Sequence, residues 1–346
     1  MYIPLGIFRL TLATFVLIVH TENVYPIFKN DVNFGGLGVW LFYLVSGFVI
    51  FSAHDNFYRG RAKNYLINRL IRIFPTLWFC LLFSLAILYY ARLMGIEVGL
   101  IRADSYGIKE FLLSLTVIGG FLNENVWGPL PPGATLTIEM KFYVLSAVIF
   151  FTVDKYFKNN GRGLFIFAIL FLIAYIVVDL TNSQYRWFGA LRYSPVFILG
   201  AAAYYTMKLG WQNLGATTIF ILAALMTVHF TLVTGSSSSY DGWEPSQIRI
   251  TTSMLFVSMF FLLNFLVRIH VESKIKIIDQ FMGDLTYPLY LVQIPLLALI
   301  FMFFDMSGII DWIILYSMCV VASIALHFAL QRPLVVLRRK WRGKEI

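Results

Sequence analysis

PLGIFRLTLATFVLIVHTENV, residues 4–24, is long and apolar enough to cross a bilayer, yet it holds an arginine and a histidine, Arg9 and His20. A helical span needs ~20 predominantly apolar residues. No basic segment precedes this run and no small-residue cleavage site follows it, so it is expected to persist as a span and not to be removed as a signal peptide. Arg9 and His20 are eleven residues apart, about 20° beyond three helical turns, so they share one helix face ~16 Å apart along the axis. An ionisable group at bilayer depth costs ~2.5–3.5 kcal/mol on insertion scales and usually marks a site or a pathway. Taken singly, each has a plainer reading, a snorkelling arginine and a hydrogen-bonded histidine at a helix end.

The rest of the chain has the same character. Of 346 residues, 59% are hydrophobic and 13% charged. A soluble domain carries about a quarter charged residues, and disorder needs low hydrophobicity with high charge, so both are excluded. Hydropathy predicts an all-α, polytopic membrane bundle of about ten transmembrane helices near 4–24, 36–53, 74–92, 134–152, 163–181, 188–206, 214–234, 250–268, 286–305 and 311–331. A shorter run, 111–122, is too brief to span and is expected to be re-entrant or interfacial. The membrane domain is expected over 1–335, followed by a short basic tail over 336–346.

Charge orients the bundle. With the N-terminus inside, eighteen Lys and Arg fall on the inner side, six on the outer side and three within spans, of 27 in all. That asymmetry follows the positive-inside rule and predicts both termini in the cytoplasm. The net charge of +9 is thereby assigned to inner loops, with no nucleic-acid partner implied. Cys80 and Cys319 both sit in apolar runs and read as buried small side chains. No metal-ligand spacing is visible.

Other polar residues follow. Glu139 lies early in the fourth predicted span, at a depth matching His20, where a carboxylate can orient an imidazole. Pairing with Lys141 or Arg192 is the equal alternative. Arg192, near the outer start of the sixth span, suits a carboxylate or a phosphate, or a structural partner. Arg69 and Arg72 in NYLINRLIRIF (64–74) are neighbours on one helix face. Two guanidiniums so placed suit a phosphorylated ligand, although basic residues beside a membrane also bind anionic lipid and fix topology. Ser46-Gly47 allows close helix approach. Tyr287, Tyr290 and Gln293 recur at three-residue spacing and share a face that lines a cavity or bonds neighbouring helices. The long outer connection, 93–133, carries Trp127 and is expected to act as a lid. A second outer loop, 234–249, carries a serine run and Trp243.

These blocks, in this order, resemble the acyltransferase 3 family of integral membrane acyltransferases over most of the chain. Arg9 to His20 is similar to its Arg-x10-His signature. GVWLFYLVSGFVI (38–50), Arg69-x-x-Arg72 with Ile73-Phe74-Pro75, TLTIEMKFY (135–143), GDLTYPLYLVQIP (283–295) and ALQRPL (329–334) resemble its later blocks. Trp40 stands where an acidic residue is common, Ala134 where Trp is usual, Gln293 where His is common and Gln331 where an acid is usual.

The resemblance implies an O-acyltransferase moving an acyl group, usually acetyl from acetyl-CoA, to an extracytoplasmic sugar. The acceptor would be a lipopolysaccharide, exopolysaccharide or other envelope glycan at the bacterial inner membrane. His20 is the candidate general base or transient acyl carrier, with Glu139 as its catalytic partner. Arg9, Arg69 and Arg72 are candidate acyl-donor ligands. Ser46, Tyr143, Arg192, Tyr287, Tyr290, Gln293 and Trp127 are candidates for acceptor binding or cavity lining. Acyl-CoA is the donor substrate, and neither a resident cofactor nor a metal is expected. No added esterase-like domain is expected either, so the membrane domain would complete the transfer alone or hand it to a separate protein. The competing reading is a proton-coupled secondary transporter relaying protons through His20, Glu139 and Arg192. It predicts repeated halves and broken helices, and no internal repeat is visible.

Overall fold

The computed structural model describes residues 4–25, 32–98, 101, 107–116, 127–157, 160–181, 189–234, 245–268 and 273–342. All regular structure among them is helical. The long helices are α1 (Gly6–His20), α2 (Phe34–Ala53), α3 (Ala62–Met94), α4 (Ile108–Leu115), α5 (Pro132–Tyr156), α6 (Asn160–Leu180), α7 (Ser194–Leu209), α8 (Leu214–Thr234), α9 (Pro245–Arg268), α10 (Ser273–Phe301), α11 (Ile309–Leu326) and α12 (Arg332–Arg342). Single π turns, His54–Tyr58 and His327–Gln331, extend α2 and α11, and a 3₁₀ turn, Gly189–Tyr193, leads into α7. Helices suit this solvent because lipid offers no partner for a free backbone N–H or C=O.

Each of the ten predicted spans coincides with a helix, but the count of ten spans is met only in part. Among the described residues, six helices, counting the π-turn extensions, are long and apolar enough to cross a membrane: Phe34–Tyr58, Ala62–Met94, Pro132–Tyr156, Leu214–Val233, Lys274–Phe301 and Ile309–Val335. Helices α1 and α7 are shorter, with 15 and 16 residues. At 1.5 Å per residue, fifteen or sixteen residues reach ~24 Å, less than the ~30 Å hydrocarbon thickness. Two helices begin earlier than hydropathy places them, α3 at Ala62 and α10 at Ser273. Their first turns carry Lys, which lowers hydropathy without stopping a helix. The run 111–122 is helical only as part of α4; residues 117–122 lie outside the described residues, as do the Gly235–Ser239 run, Trp243 and much of the 93–133 connection. Glu110 tightens the start of α4: bonds from its own N–H and that of Gly107 (2.9 Å) hold its carboxyl below the usual carboxylate range.

The chain divides into two compact units. The first comprises residues 1–29, 70–138 and 265–337. Here α1 packs on α10 and α10 on α11. Ile87, Ile101, Ile294 and Ala298 form a buried cluster, and Cys80 and Cys319 are buried and unpaired. Helix α1 is clamped at both ends. The Asp279 carboxylate accepts the N–H groups of Gly6 (3.0 Å) and Ile7 (2.9 Å), filling donors that a helix start leaves open. Only glycine fits there, because a Cβ on Gly6 would lie 1.6 Å from the Asp279 carbonyl oxygen. At the other end Trp312 Nε1 donates to Thr21 Oγ1 (2.9 Å) and Gly308 N to the Val24 carbonyl (2.8 Å). Gly308 takes φ 101°, a conformation other residues rarely adopt. Asp279→Ala is expected to cost ~1.5–3 kcal/mol per charged bond lost. Hydrogen exchange would show it as lost protection confined first to the amides of the first turn of α1.

The second unit comprises residues 30–69, 139–264 and 338–346. Here α7 is the hub, packed on α2, α6 and α8. Phe142 and Phe197 stack at 3.7 Å between ring centroids, and Tyr43 stacks on Phe197 at 5.1 Å. Trp40, replacing the family's acidic residue, is buried edge-on to Phe230 at 5.3 Å.

Candidate functional site

In the first unit, α1 runs unbroken from Gly6 to His20, so Arg9 and His20 keep the helical spacing that puts them on one face. Arg9 is half-buried. His20 closes the last turn; its Nδ1 is shielded and has no hydrogen-bond partner. Gln293 of α10 faces the ring, but Gln293 Oε1 completes no bond either, while its Nε2 donates to the Tyr290 carbonyl (3.1 Å). Gln293 is fully buried. The imidazole thus sits beside an amide with one nitrogen screened from water. Tyr287, six residues earlier on α10, donates to the Ile73 carbonyl of α3 (3.1 Å). Gln331 donates to Thr76 Oγ1 (2.6 Å) and to the Arg72 carbonyl (3.2 Å). These bonds hold the half-buried Arg72 turn of α3 in place. Trp127 is buried, donating from Nε1 to Thr137 Oγ1 (3.0 Å) against Gly133, where a Cβ would lie 2.0 Å from the indole. It pegs the start of α5.

The second unit gathers Ser46, Arg69, Glu139 and Tyr143. Ser46 Oγ donates to Glu139 Oε1 (2.8 Å), and the Tyr143 hydroxyl donates to the same oxygen from one turn along α5. Arg69 is buried, with its guanidinium 5.3 Å from the Tyr143 ring centroid and 5.5 Å from that of Tyr65. Tyr65 lies within reach of Arg69, yet its hydroxyl completes no hydrogen bond. A desolvated guanidinium between two π faces is held by cation–π attraction, worth ~2 kcal/mol or more per desolvated contact. The arrangement is a carboxylate steadied by two hydroxyls beside a cation that cannot move away. Arg192 lies apart from it, half-buried in the 3₁₀ turn before α7, near Tyr175 and Tyr193.

Two residues of these arrangements have no sequence mark that singles them out. Tyr65 is one tyrosine among nineteen, and only its position four residues before Arg69 hints at contact. Asp279 lies in a charged turn that reads as ordinary solvated chain.

No curated protein and no solved structure shows significant similarity to the chain. The family model described as an acyltransferase domain matches residues 5–332 of 346, a stretch that includes both side-chain arrangements. The chain therefore belongs to the acyltransferase 3 family, as a membrane acyltransferase.

Proposed function

We propose that the protein transfers an acyl group, acetyl in the first instance, from cytoplasmic acyl-CoA to a hydroxyl of an extracytoplasmic envelope glycan. It would work in the bacterial inner membrane with both termini in the cytoplasm. The observation that carries this reading is His20, at the end of α1 with Nδ1 screened beside Gln293, in a chain whose family is an acyltransferase one.

In the proposed step the second ring nitrogen, Nε2, takes the proton of the acceptor hydroxyl. The oxygen attacks the thioester carbonyl, the C–S bond breaks, and the CoA thiolate leaves and recovers the proton. The products are the ester and CoA. General-base assistance of this kind is worth ~10²–10⁴-fold. In the variant with acyl transfer through the ring, the same nitrogen attacks the thioester first and CoA leaves as the thiolate; the hydroxyl then displaces the imidazole, and its proton goes to the thiolate or to the released ring. Arg9 and Arg72 are the proposed resting places for the donor phosphates. Arg69, buried near Glu139, is proposed to hold its place beside that carboxylate during transfer. Glu139 is the second candidate catalytic group: Oε1 is occupied by Ser46 and Tyr143, which leaves Oε2 to accept from a substrate hydroxyl.

The test is purified protein in nanodiscs, supplied with radiolabelled acetyl-CoA and envelope polysaccharide. Label moving to polysaccharide, and base-labile as an ester is, supports the reading. Well-folded protein that neither binds nor turns over any acyl-CoA sinks it.

A further inference from the structure

The second unit contains a cavity of about 970 Å³ that the acyltransferase reading does not use. It lies among α2, α5, α6, α7 and α8. It exists because the helices meet there through small residues: Ala168, Ala201, Ala202, Gly215 and Ala216 leave volume that larger side chains would fill. Its walls are apolar, among them Phe51, Ile149, Phe171, Ile198 and Ile219. Its charged and amide residues gather at one end. Asp55 and Arg59 follow α2, Lys208 is in the last turn of α7, and Asn213 precedes α8.

Two observations distinguish this chamber from a gap between helices. The first is charge. Asp55 is already engaged, accepting from Lys208 Nζ (2.7 Å) and from the Tyr204 hydroxyl (3.1 Å). Arg59 is exposed and makes no ion pair among the described residues, so the mouth presents a guanidinium able to take an anion. The second is Tyr205. The residue lines the chamber, and its hydroxyl has no hydrogen-bond partner. A polar group left so in an apolar wall points to a ligand that supplies an acceptor. The volume is at the upper end of the ~300–1,000 Å³ range of ligand pockets.

An apolar chamber, a hydroxyl donor part-way in and a cation at the mouth match a molecule with hydrocarbon tails, ester carbonyls and a phosphate. We propose that the cavity holds one anionic glycerophospholipid, with acyl chains among the alanines, an ester carbonyl accepting from Tyr205 and the phosphate at Arg59. A zwitterionic lipid would fit the chamber equally but gain less at the mouth, because Asp55 is occupied and cannot serve a head-group amine.

The test is native mass spectrometry of the full chain in mild detergent, offered equal phosphatidylglycerol and phosphatidylcholine. Wild type is expected to keep one lipid per chain and to prefer phosphatidylglycerol about fivefold. Ala202→Trp fills the chamber and should lower retention about tenfold or more. Ala216→Trp does the same from a different helix, should either variant fail to fold. Arg59→Gln should keep occupancy and abolish the preference, and Tyr205→Phe should weaken retention of both lipids. Equal retention by wild type and a folded chamber-filling variant overturns the proposal. So does one-for-one displacement of the lipid by palmitoyl-CoA, which would make the chamber a donor site. None of these readouts needs acyl transfer, so failure here and failure of the acyltransferase reading are told apart.

Discussion

His20→Ala is expected to lower acyl transfer by ~10²–10⁴-fold, the range that a positioned proton acceptor supplies, while the protein folds as before. The ring lies at the end of α1, half-buried, and Nδ1 makes no hydrogen bond whose loss would unsettle the fold. The clamps that hold α1, Asp279 and Trp312, do not involve it. A melting curve within about 1 kcal/mol of wild type should therefore accompany the loss of activity. His20→Gln separates chemistry from packing, since an amide keeps a polar side chain but cannot accept the proton at neutral pH. It should be as inactive as alanine. Arg9→Gln, on the same face, should raise KM for acyl-CoA more than it lowers kcat if its role is to hold phosphate through the whole reaction. Labelled acyl group trapped on wild type when acceptor is withheld would select the acyl-imidazole route over direct base catalysis. Substantial turnover by folded His20→Ala would remove His20 from the chemistry.

The largest effects on stability are expected where α2 crosses α7 in the second unit. A Cβ on Gly47 would sit 2.1 Å from the Phe197 carbonyl oxygen, and one on Gly200 would sit 2.0 Å from that of Leu44. The two glycines face opposite backbones, so neither contact can be relieved by turning a side chain. The helices would have to part, and with them the stack of Tyr43, Phe197 and Phe142. Gly47→Ala or Gly200→Ala should cost ~3 kcal/mol or more, the upper end of overpacking. Detergent-solubilised protein would melt earlier, and gel filtration would show loss of the monodisperse peak. Gly215→Ala is the control. Its Cβ would meet nothing closer than 3.6 Å, and alanine favours a helix over glycine by ~1 kcal/mol, so it should be neutral or stabilising. Gly47 also adjoins Ser46, whose hydroxyl reaches Glu139. A folded remnant of Gly47→Ala should therefore lose transfer activity beyond its loss of fold.

Much of this was legible residue by residue. The Arg9–His20 spacing survives because α1 contains nothing after Gly6 that would break a helix. The departures from the family pattern were visible too, but their meaning was not. Gln331 stands where an acid is usual, and the structure shows what an amide does there: it donates to Thr76 and to the Arg72 carbonyl, which a carboxylate cannot do. Gln293 likewise donates backward to the Tyr290 carbonyl while facing His20. Ala134, in place of Trp, is exposed, so that position asks for no bulk. Trp127 read as part of a lid and proves to be a buried peg on Gly133. Arg69 and Arg72 read as a pair on one helix face, yet Arg69 is enclosed by Tyr65 and Tyr143 while Arg72 is only half-buried.

By itself the sequence determined the helical class, the membrane setting, the approximate limits of ten helices and the Arg9–His20 register. Each of these is a property of consecutive residues: hydropathy sums along the chain, and a helix repeats every 3.6 residues. Only the tertiary structure decided which polar groups are satisfied and by whom. Asp279 caps a helix 273 residues away in the sequence, and Glu139 takes a bond from Ser46 across 93 residues. It also decided that α1 and α7, of 15 and 16 residues, fall short of a full span, while six helices among the described residues are long and apolar enough. A polar side chain in a low-dielectric interior is stable only with a partner, and no local pattern names a partner that the fold brings from elsewhere in the chain.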